Sequence, residues 1–160
     1  MIGVSRYMAS IMLYWKCPHC TGIAVMDDYY KIGDQYLWCE RCGYSYQKEQ
    51  DYYDSQKNEI IFKEKEQIGY GIFRIVNKEG NSQLVPIHSL LTDERIEDYK
   101  KEMEREDIDK EKCYLVSYKD NELKVLFGEV PELYFYTYDE YKKLHPDFDP
   151  YYLQGVTISF

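Results

Sequence analysis

Cys17-Pro18-His19-Cys20 and Cys39-Glu40-Arg41-Cys42-Gly43 are the two stretches that decide the fold of the N-terminal part of this chain. Each stretch contains two cysteines separated by two residues, and eighteen residues lie between the two pairs. When a hairpin brings two such pairs together, the four thiolates surround one ion, which is the arrangement of a structural zinc site. The predicted metal ligands are Cys17, Cys20, Cys39 and Cys42. Because four cysteines leave no open coordination position, we expect the ion to stabilise the fold without taking part in catalysis.

Short apolar segments that flank both cysteine pairs predict an all-β module. The predicted strands cover residues 12–16, 23–31, 35–38 and 44–48, with a turn at Gly33-Asp34. Gly43 suits a bend with positive φ directly after the last cysteine. His19 lies between the first two cysteines, and we expect its side chain to face solvent.

The pattern C-P-x-C followed by C-x-x-C-G resembles the rubredoxin-type zinc-ribbon superfamily over residues 12–48, less than a third of the chain. The resemblance implies one structural Zn²⁺ bound by the four cysteines. Rubredoxins themselves hold iron, but their second turn usually carries proline where this chain has Glu40. Ribbons of this kind occur in transcription factors, polymerase subunits, ribosomal proteins, transposases and enzymes. The resemblance therefore implies a metal and a local fold, and it says little about function.

The remainder of the chain predicts an acidic α+β domain. The polar stretch 50–58 (QDYYDSQKN) is the predicted boundary between a zinc-ribbon domain at residues 1–50, with a short N-terminal leader, and a second domain at residues 51–160. Strands are predicted over 60–63, 72–77, 83–87, 113–118, 123–127, 133–136 and 156–160. The pattern 113–118 is almost continuously apolar, which favours a central strand, whereas Pro86 favours an edge strand.

Two helices are predicted in this second part. One begins at Thr92 and runs to about Glu106, with an apolar stripe formed by Ile96, Tyr99 and Met103. The other begins with a capping box at Thr137 and ends near His145, because Pro146 follows. We therefore predict an α+β fold with a mixed, mainly antiparallel sheet and two helices. The order hairpin–helix occurs twice, so two ββα units produced by a duplication are an open alternative.

Charge and cysteine usage narrow the class of protein. The chain has a net charge of −9, and residues 1–50 contribute five basic and five acidic side chains, so the excess lies in residues 51–160. An acidic surface repels phosphate backbones, which disfavours broad nucleic-acid binding. Paired cysteines at metal-ligand spacing favour a reducing, intracellular compartment, and we expect a cytoplasmic protein. The apolar run from Tyr7 to Trp15 is too short to span a bilayer, so no membrane association is expected.

Three hypotheses about function follow from these residues. The leading one is a zinc-binding, non-catalytic binding or regulatory protein that contacts an unidentified protein partner through its tyrosine-rich acidic surface. The first alternative is a nucleic-acid or transcription-associated ribbon protein, motivated by four basic side chains: Arg6, Lys16, Lys31 and Arg41. The second alternative is a metal-dependent hydrolase that uses His88, His145, Asp147 and Asp149. The segment 145–149 also has the composition of a loop with Asx turns, and no residue is predicted to be catalytic or to bind an organic cofactor.

Overall fold

The computed structural model describes residues 10–153, which form two antiparallel sheets and two helices. Strands β1 to β5 are Ile11–Lys16, Ile23–Tyr29, Asp34–Trp38, Ser45–Asp54 and Glu59–Gln67. Strands β6 to β9 are Gly71–Val76, Ser82–Ile87, Tyr114–Lys119 and Glu122–Gly128. Helix α1 is Asp93–Glu102 and helix α2 is Tyr138–Leu144, and three 3₁₀ turns lie at Lys110–Lys112, Glu132–Phe135 and Pro150–Leu153. The predicted α+β class is confirmed, while the predicted strand 156–160 lies outside the described residues.

The first sheet contains β1 to β5 in chain order, as a meander of antiparallel hairpins. Its register places Leu13 opposite Met26, Met26 opposite Leu37, and Leu37 opposite Tyr46. These four side chains lie on one face of the sheet, because direct cross-strand neighbours share a face. Leu13, Met26 and Leu37 are buried, and Tyr46 packs against them at the margin of the same cluster. The alternation of apolar residues in the sequence thus produces one apolar face beside the cysteines.

The first sheet continues past residue 50, where the sequence predicts a domain boundary. Strand β4 extends to Asp54 and pairs with β5 as far as Gln67. The hairpin turn at residues 55–58 is stabilised by the Asp54 carboxylate, which accepts from the backbone N–H groups of Gln56 and Lys57. The polar composition of residues 50–58 therefore marks the end of a hairpin that is solvated on both faces, and the chain has no linker at this point.

The second sheet has the strand order β7-β6-β8-β9. Strand β8 is central and β7 lies at an edge, which confirms both predictions made from apolar runs and from Pro86. On one face, Phe73 and Leu115 are buried, and helix α1 covers them with its apolar stripe. The rings of Phe73 and Tyr99 are 4.7 Å apart between centroids. The amphipathic pattern of the helix therefore has the predicted packing role.

Helix α1 ends at Glu102, earlier than the predicted end near Glu106. The chain leaves the helix because Ile108 must reach the edge of the second sheet, where it is buried and bridges to Asn77. The backbone N–H of Asp109 then donates to the carbonyl oxygen of Val76 across 2.9 Å. Competition from this tertiary contact shortens the helix at its C-terminal end.

Residues 133–136 do not form the predicted strand, since Glu132–Phe135 is a 3₁₀ turn. The backbone N–H of Tyr134 donates to the carbonyl oxygen of Pro131 across 3.0 Å, which closes the turn. The turn points the Tyr134 carbonyl oxygen at the guanidinium of Arg41, and this contact replaces the pairing that a strand would make. The aromatic composition suits a strand, but the tertiary partner decides the conformation.

The two helices cover different sheets, although both follow a hairpin in sequence. Helix α2 lies against the first sheet: Thr137 bridges to Gly22, and the backbone N–H of Tyr138 donates to the Thr21 carbonyl oxygen across 2.7 Å. The sequence repeat is thus not accompanied by equivalent helix packing. No helix within residues 10–153 is long and apolar enough to cross a membrane.

Candidate metal centre

The four cysteines predicted from their spacing lie together in one buried cluster. Their Sγ atoms are all within 4.8 Å of one another, and each side chain is at most 3% exposed. Cys17 and Cys39 follow the ends of β1 and β3, while Cys20 and Cys42 lie in the turns that lead towards β2 and β4. The antiparallel arrangement of these strands brings both turns to the same end of the first sheet. The structure thereby assembles a possible tetracysteine metal site.

The sulfur separations suit a tetrahedral metal ion. The Sγ atoms of Cys17 and Cys42 are 3.7 Å apart, and those of Cys20 and Cys39 are 3.5 Å apart. Sulfurs bound at the usual zinc–thiolate length of about 2.3 Å would be separated by about 3.8 Å at tetrahedral angles. A disulfide would require an S–S distance of about 2.05 Å, and all four thiols are free. The donor set therefore indicates a structural metal ion such as zinc.

Backbone N–H groups surround the sulfurs and favour the thiolate state. The N–H of Gly22 lies 3.3 Å from Cys20 Sγ, and the N–H of Tyr44 lies 3.4 Å from Cys42 Sγ. Hydrogen bonds with Cys17 and the other two cysteines lower the pKa of the Cys20 thiol, whereas hydrogen bonds with Cys17 and Cys20 raise the pKa values of Cys39 and Cys42. Since the thiolate is the metal ligand, the backbone N–H groups around the sulfurs favour the state that binds an ion.

Arg41 is buried at 9% exposure and joins the two cysteine turns. Its Nη1 donates to the Cys20 carbonyl oxygen across 2.9 Å, and its Nε donates to the Tyr134 carbonyl oxygen across 2.8 Å. The nucleic-acid hypothesis is motivated in part by Arg41, and the structure directs this side chain at backbone carbonyl oxygens. The guanidinium is oriented inwards because the carbonyl oxygens of Cys20 and Tyr134 need donors.

The other basic residues of that hypothesis do not form a patch with Arg41. Lys16 pairs with Asp139 of helix α2 across 2.7 Å, at an exposed site. Lys31 is exposed in the turn after β2, and Arg6 lies outside the described residues. The arrangement of the described basic side chains therefore does not favour a phosphate-binding surface around the cysteines.

His19 is directed at the second half of the molecule, so the expectation that it faces solvent is wrong. Its Nε2 lies 3.0 Å from the carbonyl oxygen of Gly69, and its ring meets the edge of Tyr118 at 5.2 Å between centroids. Tyr118 itself is buried among the cysteine cluster. Sequence reasoning missed this contact because no local pattern specifies which distant carbonyl a histidine will meet.

The second cysteine turn packs directly on the backbone of Gly69 and Gly71. The N–H of Gly71 donates to the Cys42 carbonyl oxygen across 2.9 Å, and His88 Nε2 lies 2.9 Å from the Gly43 carbonyl oxygen. Gly43 has φ +89°, which confirms the predicted positive-φ bend. A Cβ atom on Gly69 would lie 2.1 Å from the Cys42 carbonyl oxygen, so this approach requires glycine. The cysteine turns and the second sheet are therefore tightly coupled.

The residues of the hydrolase hypothesis are not brought together. His88 contacts the second cysteine turn, whereas the exposed His145 packs on the ring of Tyr141 at 4.4 Å between centroids. Asp149 accepts from the backbone N–H of Tyr151, as expected for an Asx turn. Among the described residues, the four cysteines are the one group of three or more His, Cys, Asp or Glu side chains arranged to hold a metal. The geometry of segment 145–149 thus agrees with the loop interpretation.

A cavity of about 630 Å³ lies next to the cysteine cluster, and sequence reasoning did not predict it. It is bounded by the end of β3, the start of β4, the face of β6 and β7, and the 3₁₀ turn at Glu132–Phe135. Polar side chains with aromatic neighbours line it, including Glu40, Arg74 and Tyr114. The sequence gives little indication of this cavity, because its lining residues come from segments far apart in the chain.

Comparisons of the chain with protein-family models, with curated proteins and with solved structures find no match. The fold and the site define the class at a coarse level: a two-sheet protein with a four-cysteine cluster that resembles a zinc-ribbon knuckle.

Proposed function

We propose that this protein is a zinc-binding, non-catalytic cytoplasmic protein that acts through contacts with a protein partner. The closed four-cysteine cluster supports the zinc assignment, because structural zinc sites are commonly closed tetrahedral sites with four cysteine ligands. Cys17, Cys20, Cys39 and Cys42 would hold the ion, which supplies a cross-link between the two turns. The five described cysteines are all free thiols, which supports a reducing compartment.

The identity of the metal is tested by elemental analysis of the protein purified from cells without added metal. About one zinc per chain is expected for a Cys₄ site. Iron at that stoichiometry, visible as the colour of a ferric thiolate centre, would contradict the zinc assignment and favour a rubredoxin-like site. Iron and zinc are the alternatives to separate, because tetrahedral sulfur sites hold either metal.

The observation that carries the proposed protein contact is the exposed end of the β4–β5 hairpin, residues 51–60, which we call the hairpin end. Tyr52, Tyr53 and Ile60 are 56%, 57% and 45% exposed. Tyr53 and Ile60 are direct cross-strand neighbours, so they share one face of the hairpin. Tyrosine and other aromatic residues are enriched in protein–protein interfaces. The hairpin end presents the kind of apolar surface that such contacts bury.

Charge at the hairpin end indicates the chemistry of the partner. It contains three acidic residues and one basic residue, a net charge of −2: Asp51, Asp54, Glu59 and Lys57. Complementary charge steers association and fixes orientation, so we infer a partner with a basic surface around an apolar groove. The outer part of β5 alternates Lys63, Glu64, Lys65 and Glu66, and charged side chains on an edge strand oppose strand addition. The partner would therefore contact side chains of the hairpin end without extending the sheet.

The test compares three forms of the protein as bait in an extract of the cells that make it. The hairpin variant carries Tyr52→Ser, Tyr53→Ser and Ile60→Ser, and the control carries Phe135→Ser and Leu144→Ser, which are 51% and 58% exposed elsewhere on the surface. We expect a protein retained by the wild type and the control and lost from the hairpin variant, with nuclease treatment making no difference.

The captured protein is then purified and titrated against all three forms. We expect the hairpin substitutions to weaken binding by at least about tenfold, as removal of central aromatic contacts does, and added salt to weaken it further. Equal affinity for the wild type and the hairpin variant, or capture that depends on nucleic acid, would overturn the proposed contact. Circular dichroism and metal content of each variant check that it is folded.

A further inference from the structure

The cavity next to the cysteine cluster has the size and composition of a small-molecule site. Its volume is about 630 Å³, and aromatic side chains from both sheets, including Trp38, Tyr44 and Tyr114, line it together with Tyr134. Small-molecule sites typically have volumes of about 300–1,000 Å³ and apolar walls with a few polar groups. The polar groups that reach this space without a partner decide which ligand it can bind.

The second sheet contributes seven of the lining residues, and three of them form one cross-strand row. Arg74 of β6 lies directly opposite Leu84 of β7 and opposite Tyr114 of β8. Direct cross-strand neighbours share a face, so the guanidinium is flanked by an aliphatic and an aromatic side chain. The opposite face, which carries Phe73, is covered by helix α1. Strand register thus places one cation within an apolar wall.

Tyr114 is 1% exposed, yet no hydrogen bond within residues 10–153 uses its hydroxyl. Buried polar groups are normally satisfied, so this hydroxyl requires an explanation. Among the described residues, Asp27 Oδ1 is the one fully buried side-chain N or O atom without a partner, so the Tyr114 hydroxyl must be accessible, and the space it lines is the cavity. Burial raises the pKa of Tyr114 to about 12, so the hydroxyl keeps its proton at neutral pH and can donate.

Arg74 provides a positioned cation beside this hydroxyl. Its Nε donates to Ser82 Oγ across 3.1 Å, which restrains the plane of the guanidinium. In the described part of the chain, no hydrogen bond or ion pair engages its two Nη atoms. A planar guanidinium with free N–H groups is suited to two-point recognition of a carboxylate. Glu40 also lines the cavity, where its carboxylate accepts from the Tyr134 hydroxyl and adds to the rise that burial causes in the pKa of Tyr114, so Arg74 supplies the attraction for an anion.

We propose that this cavity binds a small molecule with a flat aromatic body and one carboxylate group. Arg74 and Tyr114 hold the carboxylate, and the aromatic body lies against Trp38, Tyr134 and Leu84. A free guanidinium and a proton-bearing hydroxyl satisfy the anion, while the aromatic walls bury the ring. This site is separate from the hairpin end and does not depend on the proposed protein partner.

The test titrates the metal-loaded, ¹⁵N-labelled protein with 2-naphthoate and, as a matched neutral probe, 2-naphthamide. The indole N–H signal of Trp38 reports on the cavity, and that of Trp15, which is 46% exposed elsewhere, is the internal control. The variant Trp15→Phe assigns the two signals. We expect 2-naphthoate to shift the Trp38 signal saturably without moving Trp15, and 2-naphthamide to bind at least about tenfold more weakly, because a charge-assisted pair is lost.

Three variants assign the carboxylate contacts. Arg74→Gln is expected to weaken 2-naphthoate binding at least about tenfold and Tyr114→Phe by about fivefold, since each loses one contact to the carboxylate. Arg105→Gln removes an exposed arginine far from the lining residues and should bind as the wild type does. Both cavity variants should retain metal and a folded spectrum.

Several outcomes would overturn the proposal. They are an unmoved Trp38 signal, equal affinity for the acid and the amide, and unchanged affinity in Arg74→Gln. The hairpin variant should bind 2-naphthoate normally, so failure of the protein-contact proposal and failure of the cavity proposal are distinguishable.

Discussion

The Nη1 atom of Arg41, in the second cysteine turn, donates to the carbonyl oxygen of Cys20, in the first turn, across 2.9 Å. The same guanidinium reaches the 3₁₀ turn through the Tyr134 carbonyl oxygen. One side chain therefore connects three segments that are far apart in the sequence. Arg41 stabilises the position of both cysteine turns independently of any ion between them.

Replacement of Arg41 by glutamine is expected to destabilise the metal-loaded protein by about 2–4 kcal/mol. Hydrogen bonds to charged groups contribute about 1.5–3 kcal/mol each, and the variant leaves two carbonyl oxygens without their donor. Urea unfolding at a fixed free-zinc concentration measures the difference. The control is Arg105→Gln, whose ion pair with Asp107 is exposed and should contribute much less to stability. Equal losses in both variants would contradict the role of Arg41.

Cys39→Ser is expected to lose the metal, whereas Cys113→Ser is expected to keep it. Both thiols are buried, but Cys113 lies outside the cluster, with its Sγ 3.2 Å from the Asp109 carbonyl oxygen. Serine at position 113 should cost about 1–2 kcal/mol through altered packing and hydrogen bonding. Metal analysis after gel filtration separates the two variants. A Cys39→Ser protein that retains full metal content and stability would show that the cluster is not a four-ligand site.

Gly69→Ala is expected to destabilise the protein by more than about 3 kcal/mol. The added Cβ would lie 2.1 Å from the Cys42 carbonyl oxygen, so the contact between the cysteine turn and the second sheet must open. Gly80→Ala is the comparison: its Cβ meets nothing within 4 Å, although its φ is +92°. Placing alanine in the left-handed region costs about 1–2 kcal/mol. Thermal unfolding of both variants measures how much more Gly69→Ala is destabilised than Gly80→Ala. Equal destabilisation would show that the two sheets are only loosely packed.

Alkaline pH is expected to weaken the fold, partly through Tyr114. Burial raises the pKa of this side chain from 10.0 to about 12. A raised pKa means that the folded state binds the proton more tightly than the unfolded state does. The contribution of Tyr114 to the free energy of unfolding is therefore complete below pH 10 and is lost as the pH rises to 12. Between pH 9 and pH 12, the free energy of unfolding should fall further in the wild type than in Tyr114→Phe, by on the order of 2 kcal/mol. Urea unfolding at pH 9 and at pH 12 measures it, and equal pH dependence in the two proteins would contradict the assignment.

The cysteine cluster and the strand pattern around it follow from local sequence. Two residues between cysteines and antiparallel strands on either side leave one way to bring the thiols together. Helix α1 is equally local, because Ile96, Tyr99 and Met103 repeat with the helical period. Local sequence also places two strands in the second sheet: Pro86 identifies β7 as an edge strand, and the apolar run of β8 identifies a central strand. These features depend on neighbours within a few residues, and such patterns are visible in a single sequence.

The contacts between the two sheets could not be predicted in the same way. His19 and His88 each meet a backbone carbonyl, and any exposed or buried carbonyl would suit a histidine equally well. Both faces of the hairpin end are solvated, so the strand residues in it lack the alternation of apolar and polar residues that identifies a strand in a sequence. The 3₁₀ turn at Glu132–Phe135 has strand-like composition and is decided by its contact with Arg41. Tertiary partners select these conformations against local preference.

The position of the cysteines in the chain has a consequence for synthesis on the ribosome. All four thiols precede Gly43, so a nascent chain carries its complete ligand set before the segment at Gly69–Gly71 has been translated. An ion bound by the four thiols would fix the Cys42 carbonyl oxygen, which is the acceptor of the Gly71 N–H. A chain made in a metal-starved cell would lack this template for its C-terminal sheet. Metal supply would then affect the whole protein, including the half that contains no ligand.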